Sequence, residues 1–351
     1  MMTSRISPDN IYRCDLERVY RSGLDLEALT DANILVTGAT GLIGTCVVDM
    51  LMCYPQRRYH VYAAGRNRQR AMDRFACYMD DKDFTFLEFD VTQPLESDIP
   101  FHYIIDAASL SSPNFFKNHP VEVIRANING VGNLLDYGVG HALKRLLYVS
   151  SGEVYGEGDG TPFTEKSSGF IDCATARACY PSAKRTAETL CVAYAEEYHS
   201  DAVIARLCHT YGPWFTESDN RVYAQFIRNV INDEDIVLKS EGRPYRSWLY
   251  VVDCAHAMLC LLLSGASANA YNVADAEANI TIRDLAERVA KMADRKVVFD
   301  IPEDQNHGVT TPITKATFSV EKIQSIGWRP LFSIQEGLEH TIKALTSVAS
   351  A

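Results

Sequence analysis

From about residue 32 onward the chain alternates short apolar runs with longer amphipathic stretches. "NILVTG" reads as a strand, and "GLIGTCVVDMLMCY" as a helix with apolar residues at helical spacing. "HVYAAGR" and "FTFLEFDV" predict two further strands, with a helix over "RQRAMDRFACYM" between them. "HYIIDAAS" follows as a fourth strand, then a long helix over "VEVIRANINGVGNLLDYGVGH" and a fifth strand over "RLLYVSS". A second long helix spans "YPSAKRTAETLCVAYAEEY", and "DAVIARLCHTYGP" is the strand after it. Such alternation predicts an α/β fold, a doubly wound parallel sheet with helices on both faces. Beyond about residue 208 the pattern becomes irregular, which predicts a smaller, mixed C-terminal lobe.

These patterns divide the chain. Residues 1–32 read as an N-terminal extension packed against the body. Residues 33–207 and about 245–272 read as the nucleotide-binding domain, and about 208–244 with 273–351 as the substrate lobe. Of the 351 residues 47% are hydrophobic and 23% charged, which fits a globular protein. A net charge of −11 argues against a nucleic-acid partner, which needs a basic face, but leaves room for a small anionic ligand held by local arginines. The ten cysteines show no disulfide or metal spacing, and Cys46, Cys191, Cys208 and Cys260 lie in apolar runs as core thiols would. No metal site is expected. The first residues lack the apolar core of a signal peptide, and "AMLCLLL" is too short to span a bilayer. The expectation is a soluble, cytoplasmic protein with no membrane partner.

"VTGATGLIG" sets Gly38, Gly41 and Gly44 between the first strand and the first helix. Glycines there allow a tight turn, close approach of backbone to a pyrophosphate, and close helix packing. The helix start, with Leu42 and Ile43, offers unpaired amides and partial positive charge to phosphate. A Rossmann-type dinucleotide site follows. The second strand ends in Arg66 where an acidic residue would meet a ribose 2′-hydroxyl. Arg66 therefore faces a 2′-phosphate, which favours NADP, or stacks on the adenine of NAD. Asp90 and Val91 follow the third strand, where a carboxylate and an amide could meet the adenine. Ala107, Ala108 and Ser109 end the fourth strand with side chains small enough for a backbone-hugging cofactor.

"CYPSAK" puts Tyr180 and Lys184 four apart on one helix face. A phenol of pKa about 10 is a poor base at neutral pH. A neighbouring ammonium lowers that pKa and makes abstraction of a sugar hydroxyl proton feasible.

With these residues in place the chain resembles an extended short-chain dehydrogenase/reductase of the nucleotide-sugar epimerase, dehydratase and decarboxylase group. The likeness runs from Asn33 to about Leu345 and is carried by "TGATGLIG", Asp90-Val91, "DAAS", "ANINGVGNLL", "VSSGEVYG", "YPSAK", "RLCHTYGP" and "RSWLYVVD". It implies a tightly bound NAD, a nucleotide-sugar substrate and a homodimer. It implies oxidation of the sugar at C4 with Tyr180 as base, Lys184 lowering its pKa and binding the nicotinamide ribose, and Ser151 bonding the C4 oxygen. Asn127 and Ser150 fall among the cofactor contacts, and Ser111 and Gly152 among those of the substrate. Asn220, Arg221 and Phe226, in "DNRVYAQFIRNV", resemble the loop and helix that lie along the nucleotide in UDP-glucuronate decarboxylases. Arg246 matches an arginine that grips the diphosphate or the sugar carboxylate, as its planar fork allows. Asp253 reads as a helix cap.

Two departures stand out. His209 occupies a place where most relatives carry asparagine, so its contact is either with cofactor or with substrate. Gly152 sits between Ser151 and Glu153, where dehydratases show Thr-Asp-Glu and decarboxylases Thr-Ser-Glu. Glu153 favours chemistry at C5, because C4 oxidation acidifies the C5 proton. Gly152 lacks the acid that would expel a C6 hydroxyl, which puts a UDP-glucuronate decarboxylase-like lyase ahead of a 4,6-dehydratase or a 4-epimerase. A cofactor-holding sensor or scaffold is the non-enzyme alternative.

Overall fold

The computed structural model describes residues 6–7, 10–141, 143–217, 219–301 and 314–349. Helix α1 (Ile11–Arg21) precedes β1 (Asn33–Thr37), α2 (Leu42–Met52), β2 (His60–Gly65), α3 (Arg68–Arg74), β3 (Phe84–Glu88) and β4 (Tyr103–Asp106). There follow α4 (Pro113–Asn118), α5 (Pro120–Gly140), β5 (Arg145–Ser151), α6 (Cys179–Tyr198), β6 (Ala202–Leu207) and β7 (His209–Tyr211). The rest comprises α7 (Val222–Ile231), β8 (Ile236–Leu238), β9 (Tyr245–Tyr250), α8 (Val251–Ser264) and β10 (Asn269–Val273). Last come β11 (Asn279–Thr281), α9 (Ile282–Met292), β12 (Val297–Phe299), β13 (Lys315–Ala316), α10 (Glu321–Ser325) and α11 (Ile334–Ala349).

Seven of these strands form one parallel sheet in the order β10-β6-β5-β4-β1-β2-β3. Its central strands are apolar on both faces because both are covered: α2 and α8 pack together on one side, α5 and α6 on the other. The strand order reverses between β1 and β4, and at such a point the C-terminal strand ends open a crevice. The doubly wound parallel sheet expected from the sequence is the fold.

Two elements differ from their predicted extent. The helix expected over residues 68–79 ends at Arg74 and tightens into a 3₁₀ turn at Ala76–Tyr78. Phe75 and Tyr78, three residues apart, then both reach Phe84. The strand expected over 201–213 breaks at Cys208: β6 stays in the central sheet, while β7 leaves it to pair with β9. Strand β9 also pairs with β11 and β13 in a second, small sheet. That break carries the chain from the cofactor side of the crevice to its opposite wall.

Candidate active site

The glycine loop is built as a cradle. Gly38 adopts φ +60°, and a Cβ on it would lie 2.5 Å from the Ala107 carbonyl oxygen. At Gly44 a Cβ would lie 2.3 Å from the Gly38 carbonyl oxygen, so any side chain would force α2 away from the loop. Gly41 precedes α2 without a side-chain cap, which leaves the first-turn amides at Leu42 and Ile43 available to an anion. Ala107 and Ala108 are half-buried beside this loop. The cradle and the uncapped helix fit a dinucleotide pyrophosphate.

At the other end of the crevice, Arg66 is largely exposed and its Nη1 lies 3.9 Å from Asp90. Asp90 also accepts from the Thr92 amide and hydroxyl, which fixes its carboxylate. The Val91 carbonyl accepts from Asn133 at 2.8 Å. Asn127 is buried in α5, donates to the Val123 carbonyl and accepts from Ser109. Ser111 is exposed in the loop after β4.

Helix α6 lays Tyr180, Lys184 and Glu188 in one stripe against the end of β5. Lys184 Nζ donates to the Val149 carbonyl at 2.6 Å, and Glu188 accepts from Ser150 Oγ at 2.5 Å. The Ser150 side chain therefore belongs to a buried network with Glu188 and Arg206, which leaves only its backbone to face the crevice. Tyr180 stacks on Phe116, ring centroids 4.7 Å apart, and the Ser151 and Ser109 side chains favour its ionised form.

Burial, and then the charge of Glu153, push the Tyr180 phenol up to about 12, against the pull of Ser151, Arg221 and Ser109. Burial also brings Lys184 down to about 8, although Asp106 and Glu188 favour its charge. The Lys184 ammonium bonds a backbone carbonyl and lies 5.8 Å from the Tyr180 ring centroid.

Past Ser151 the chain turns through a 3₁₀ segment, Gly152–Tyr155, in which Ser151 Oγ accepts the Glu153 amide at 3.2 Å. The turn aims Glu153 back at the approach to α6. There Arg177 Nη2 donates to both carboxylate oxygens, at 3.0 and 2.9 Å. Burial raises the Glu153 pKa, and Arg177 and Arg246 oppose that shift. Arg177 also lies 5.0 Å over the Phe116 ring, so one arginine joins the carboxylate to the aromatic stack under Tyr180. Sequence reasoning missed Arg177, although it stands one turn before Tyr180 in "RACY".

The opposite wall comes from β7, β9 and the segment before α7. His209 projects from β7 into the crevice beside Trp248. His209 is solvent-accessible at the open crevice; the surrounding walls, then the charges of Arg246 and Arg221, push its imidazole down to about 3. Arg246 is buried on β9 and bonds the Tyr245 carbonyl at 3.0 Å. Arg221 pairs with Asp219 through Nε at 2.9 Å and also reaches the Tyr223 hydroxyl. Asn220 is exposed beside it. Phe226 is 2% exposed and lies in the core, so its expected substrate contact is corrected: the apolar face of α7 points inward. Asp253 does not cap its own helix, whose N-cap is Tyr250; it accepts the Leu331 and Phe332 amides instead.

A family model described as the NAD dependent epimerase/dehydratase family matches residues 34–274. The chain belongs to that family, and NAD is the cofactor that its cradle fits. UDP-glucuronic acid decarboxylase 6 of Arabidopsis thaliana is 31% identical over 315 residues, covering 88% of this chain and 87% of the relative. Among solved structures, a dTDP-glucose 4,6-dehydratase of Streptomyces venezuelae superposes with a TM-score of 0.77 at 22% identity, covering 89% and 96% of the two chains. A UDP-glucuronic acid 4-epimerase of Bacillus cereus gives 0.77 at 19% identity, covering 89% and 98%. At those identities the two structures speak for the fold. Among the described residues no helix is long and apolar enough to cross a membrane, and no acidic, His or Cys cluster has metal-site form.

Proposed function

We propose that the chain is a nucleotide-sugar lyase that oxidises the sugar at C4 and then removes the C6 carboxyl group, most closely a UDP-glucuronate decarboxylase. The observation that carries this reading is Glu153, an arginine-held carboxylate in the same crevice as Ser151 and Tyr180, with no acid at position 152. NAD, when held by the glycine cradle, would supply a hydride acceptor. Tyr180 takes the C4 hydroxyl proton, Ser151 and Ser109 orient that oxygen, and Lys184 braces the end of β5 through the Val149 carbonyl. In the 4-keto acid the C5–C6 bond is weakened, and carbon dioxide leaves without being protonated. The enolate left behind takes up a proton at C5 from water, and Glu153, paired with Arg177, positions that water. Arg246 and Arg221 supply positive charge for the diphosphate or the uronate carboxylate, and neutral His209 offers a hydrogen bond there without repelling either arginine.

The test is to weigh products after incubation with UDP-glucuronate, UDP-glucose and dTDP-glucose. Loss of carbon dioxide from UDP-glucuronate, abolished in Tyr180→Phe, is the expected result. Loss of water from a hexose would make the chain a dehydratase, and unchanged mass with inverted stereochemistry an epimerase. Exposed Val121, Ile124 and Val139 on α5 and Tyr198 on α6 support the homodimer reading, which light scattering on the purified protein tests.

A further inference from the structure

Gly152 is a glycine for a reason its own backbone does not supply. Its φ is not positive, so any residue could adopt its conformation. What excludes a side chain is a ring from far along the chain: a Cβ on Gly152 would lie 2.2 Å from Phe318 Cζ and 2.6 Å from Cε1. Contacts that close do not occur without displacement of the ring or the turn.

Phe318 has little freedom to move aside. It is 5% exposed and packs against Tyr155 and Phe163, whose own rings stack 4.7 Å apart. Its backbone is pinned on both sides by Phe163: the Phe163 amide donates to the Thr317 carbonyl and the Ser319 amide to the Phe163 carbonyl, both at 2.8 Å. Asn272 Nδ2 ties the Phe163 and Ser319 carbonyls together, at 2.9 and 3.0 Å. The segment that presents the ring continues from β13, which pairs with β9 beside Arg246. The ring therefore backs the turn whose neighbouring residues are Ser151 and Glu153.

We infer that Phe318 is a specificity-determining residue: its ring edge takes the volume that a side chain at position 152 would hold. It makes the wall between the C4-oxygen site and Glu153 apolar and without a proton donor. This inference rests on the proposed reading of the crevice and adds the exocyclic end of the sugar to it. At that wall a hydroxymethyl group meets an aromatic edge and no acid to protonate its oxygen. A flat carboxylate at C6 presents a thinner profile to the ring and keeps its oxygens for Arg246 or Arg177. The site consequently selects uronates over neutral hexoses by shape and by the absence of a general acid.

The test reads binding, so that it does not depend on turnover. Calorimetry on NAD-loaded protein carrying Tyr180→Phe, which blocks turnover, gives the ratio of UDP-glucuronate to UDP-glucose affinity with Phe318 intact, with Phe318→Leu and with Phe318→Ala. Phe318→Ala is expected to shrink the preference for the uronate by about tenfold, with Phe318→Leu in between. A folded Phe318→Ala protein with an unaltered ratio would overturn the inference. A second measurement covers a Phe318→Ala protein that does not fold. Gly152→Ser should lower the melting temperature with Phe318 present, and Gly152→Ser with Phe318→Leu should recover part of that loss. Strict additivity of the two substitutions would equally sink the inference. Wild-type protein that binds UDP-glucuronate without releasing carbon dioxide would defeat the decarboxylase reading while leaving the affinity ratio readable.

Discussion

At the scale of single residues the site is governed by who neutralises whom. Glu153 is drawn towards its neutral form by burial and held ionised by Arg177. Replacing Arg177 with methionine removes the opposing cation, so the Glu153 pKa rises and the ionised fraction at a given acidic pH falls. If ionised Glu153 serves the step after oxidation, kcat should drop on the order of 100-fold. The acid limb of the pH–rate profile should also move to higher pH, a shift that a merely structural arginine would not produce. An unmoved limb in an otherwise slow variant would reduce Arg177 to a packing role. His209 carries a prediction of opposite kind. With its imidazole pushed down to about 3, its NMR signals should stay flat from pH 5 to 8, where an ordinary histidine titrates near about 6.5. The unfolded chain binds more protons than the native one between those two pKa values. The contribution of His209 to stability is therefore complete above pH 6.5 and is lost as pH falls towards 3. A titration step near neutrality would show that the arginines do not act on it.

At the scale of elements, α6 and β5 are held in register by a charge cluster behind the reacting groups. Arg206 on β6 bonds Glu188 through Nε at 3.0 Å and Nη2 at 2.6 Å, and its Nη1 reaches the Tyr155 hydroxyl. Both side chains are largely buried. Arg206→Met strands the Glu188 carboxylate and should cost about 3–5 kcal/mol by urea unfolding, whereas Arg206→Met with Glu188→Leu should cost less. A double variant as damaged as the single one would mean that packing, not charge, is what Arg206 provides. This cluster also marks the boundary of what the sequence made legible. Strands and long helices could be read because each is a local apolar period, and Tyr180 with Lys184 because both lie on one helix. Ser150 looked like its neighbour Ser151, since alternation in a strand sends adjacent side chains to opposite faces and residue type does not say which face is the crevice. Phe226 was misplaced for the same reason on a helix. The ring of Phe318 over Gly152 was out of reach, because nothing local to either segment announces a contact between them.

At the scale of the whole molecule, the N-terminal extension joins parts of the fold that the chain visits far apart. Helix α1 packs on α8 and α11, and its buried Asp15 accepts the Tyr250 hydroxyl at 2.8 Å and contacts His340 Nδ1 at 2.9 Å. One turn earlier, Tyr12 donates to Asp49 of α2 at 3.0 Å. One turn later, Arg18 lies 4.4 Å over the Phe332 ring and pairs with Glu336. Asp15 thus links the last helix to the end of β9, whose other end carries Arg246, while Tyr12 ties α1 to α2. Asp15→Ala leaves the buried Tyr250 hydroxyl and the part-buried His340 ring unsatisfied and should cost about 1–3 kcal/mol. Asp15→Asn, which keeps an acceptor for Tyr250, should cost less. The loss should fall unevenly on the ligands. The glycine cradle lies on β1 and α2, so NAD should bind Asp15→Ala with near wild-type affinity, whereas UDP-sugar binding, which draws on β9, should weaken severalfold. Calorimetric titration of each ligand into the variant makes the comparison. Equal weakening of both would show that α1 supports the body as a whole and is not a brace specific to the wall bearing Arg246.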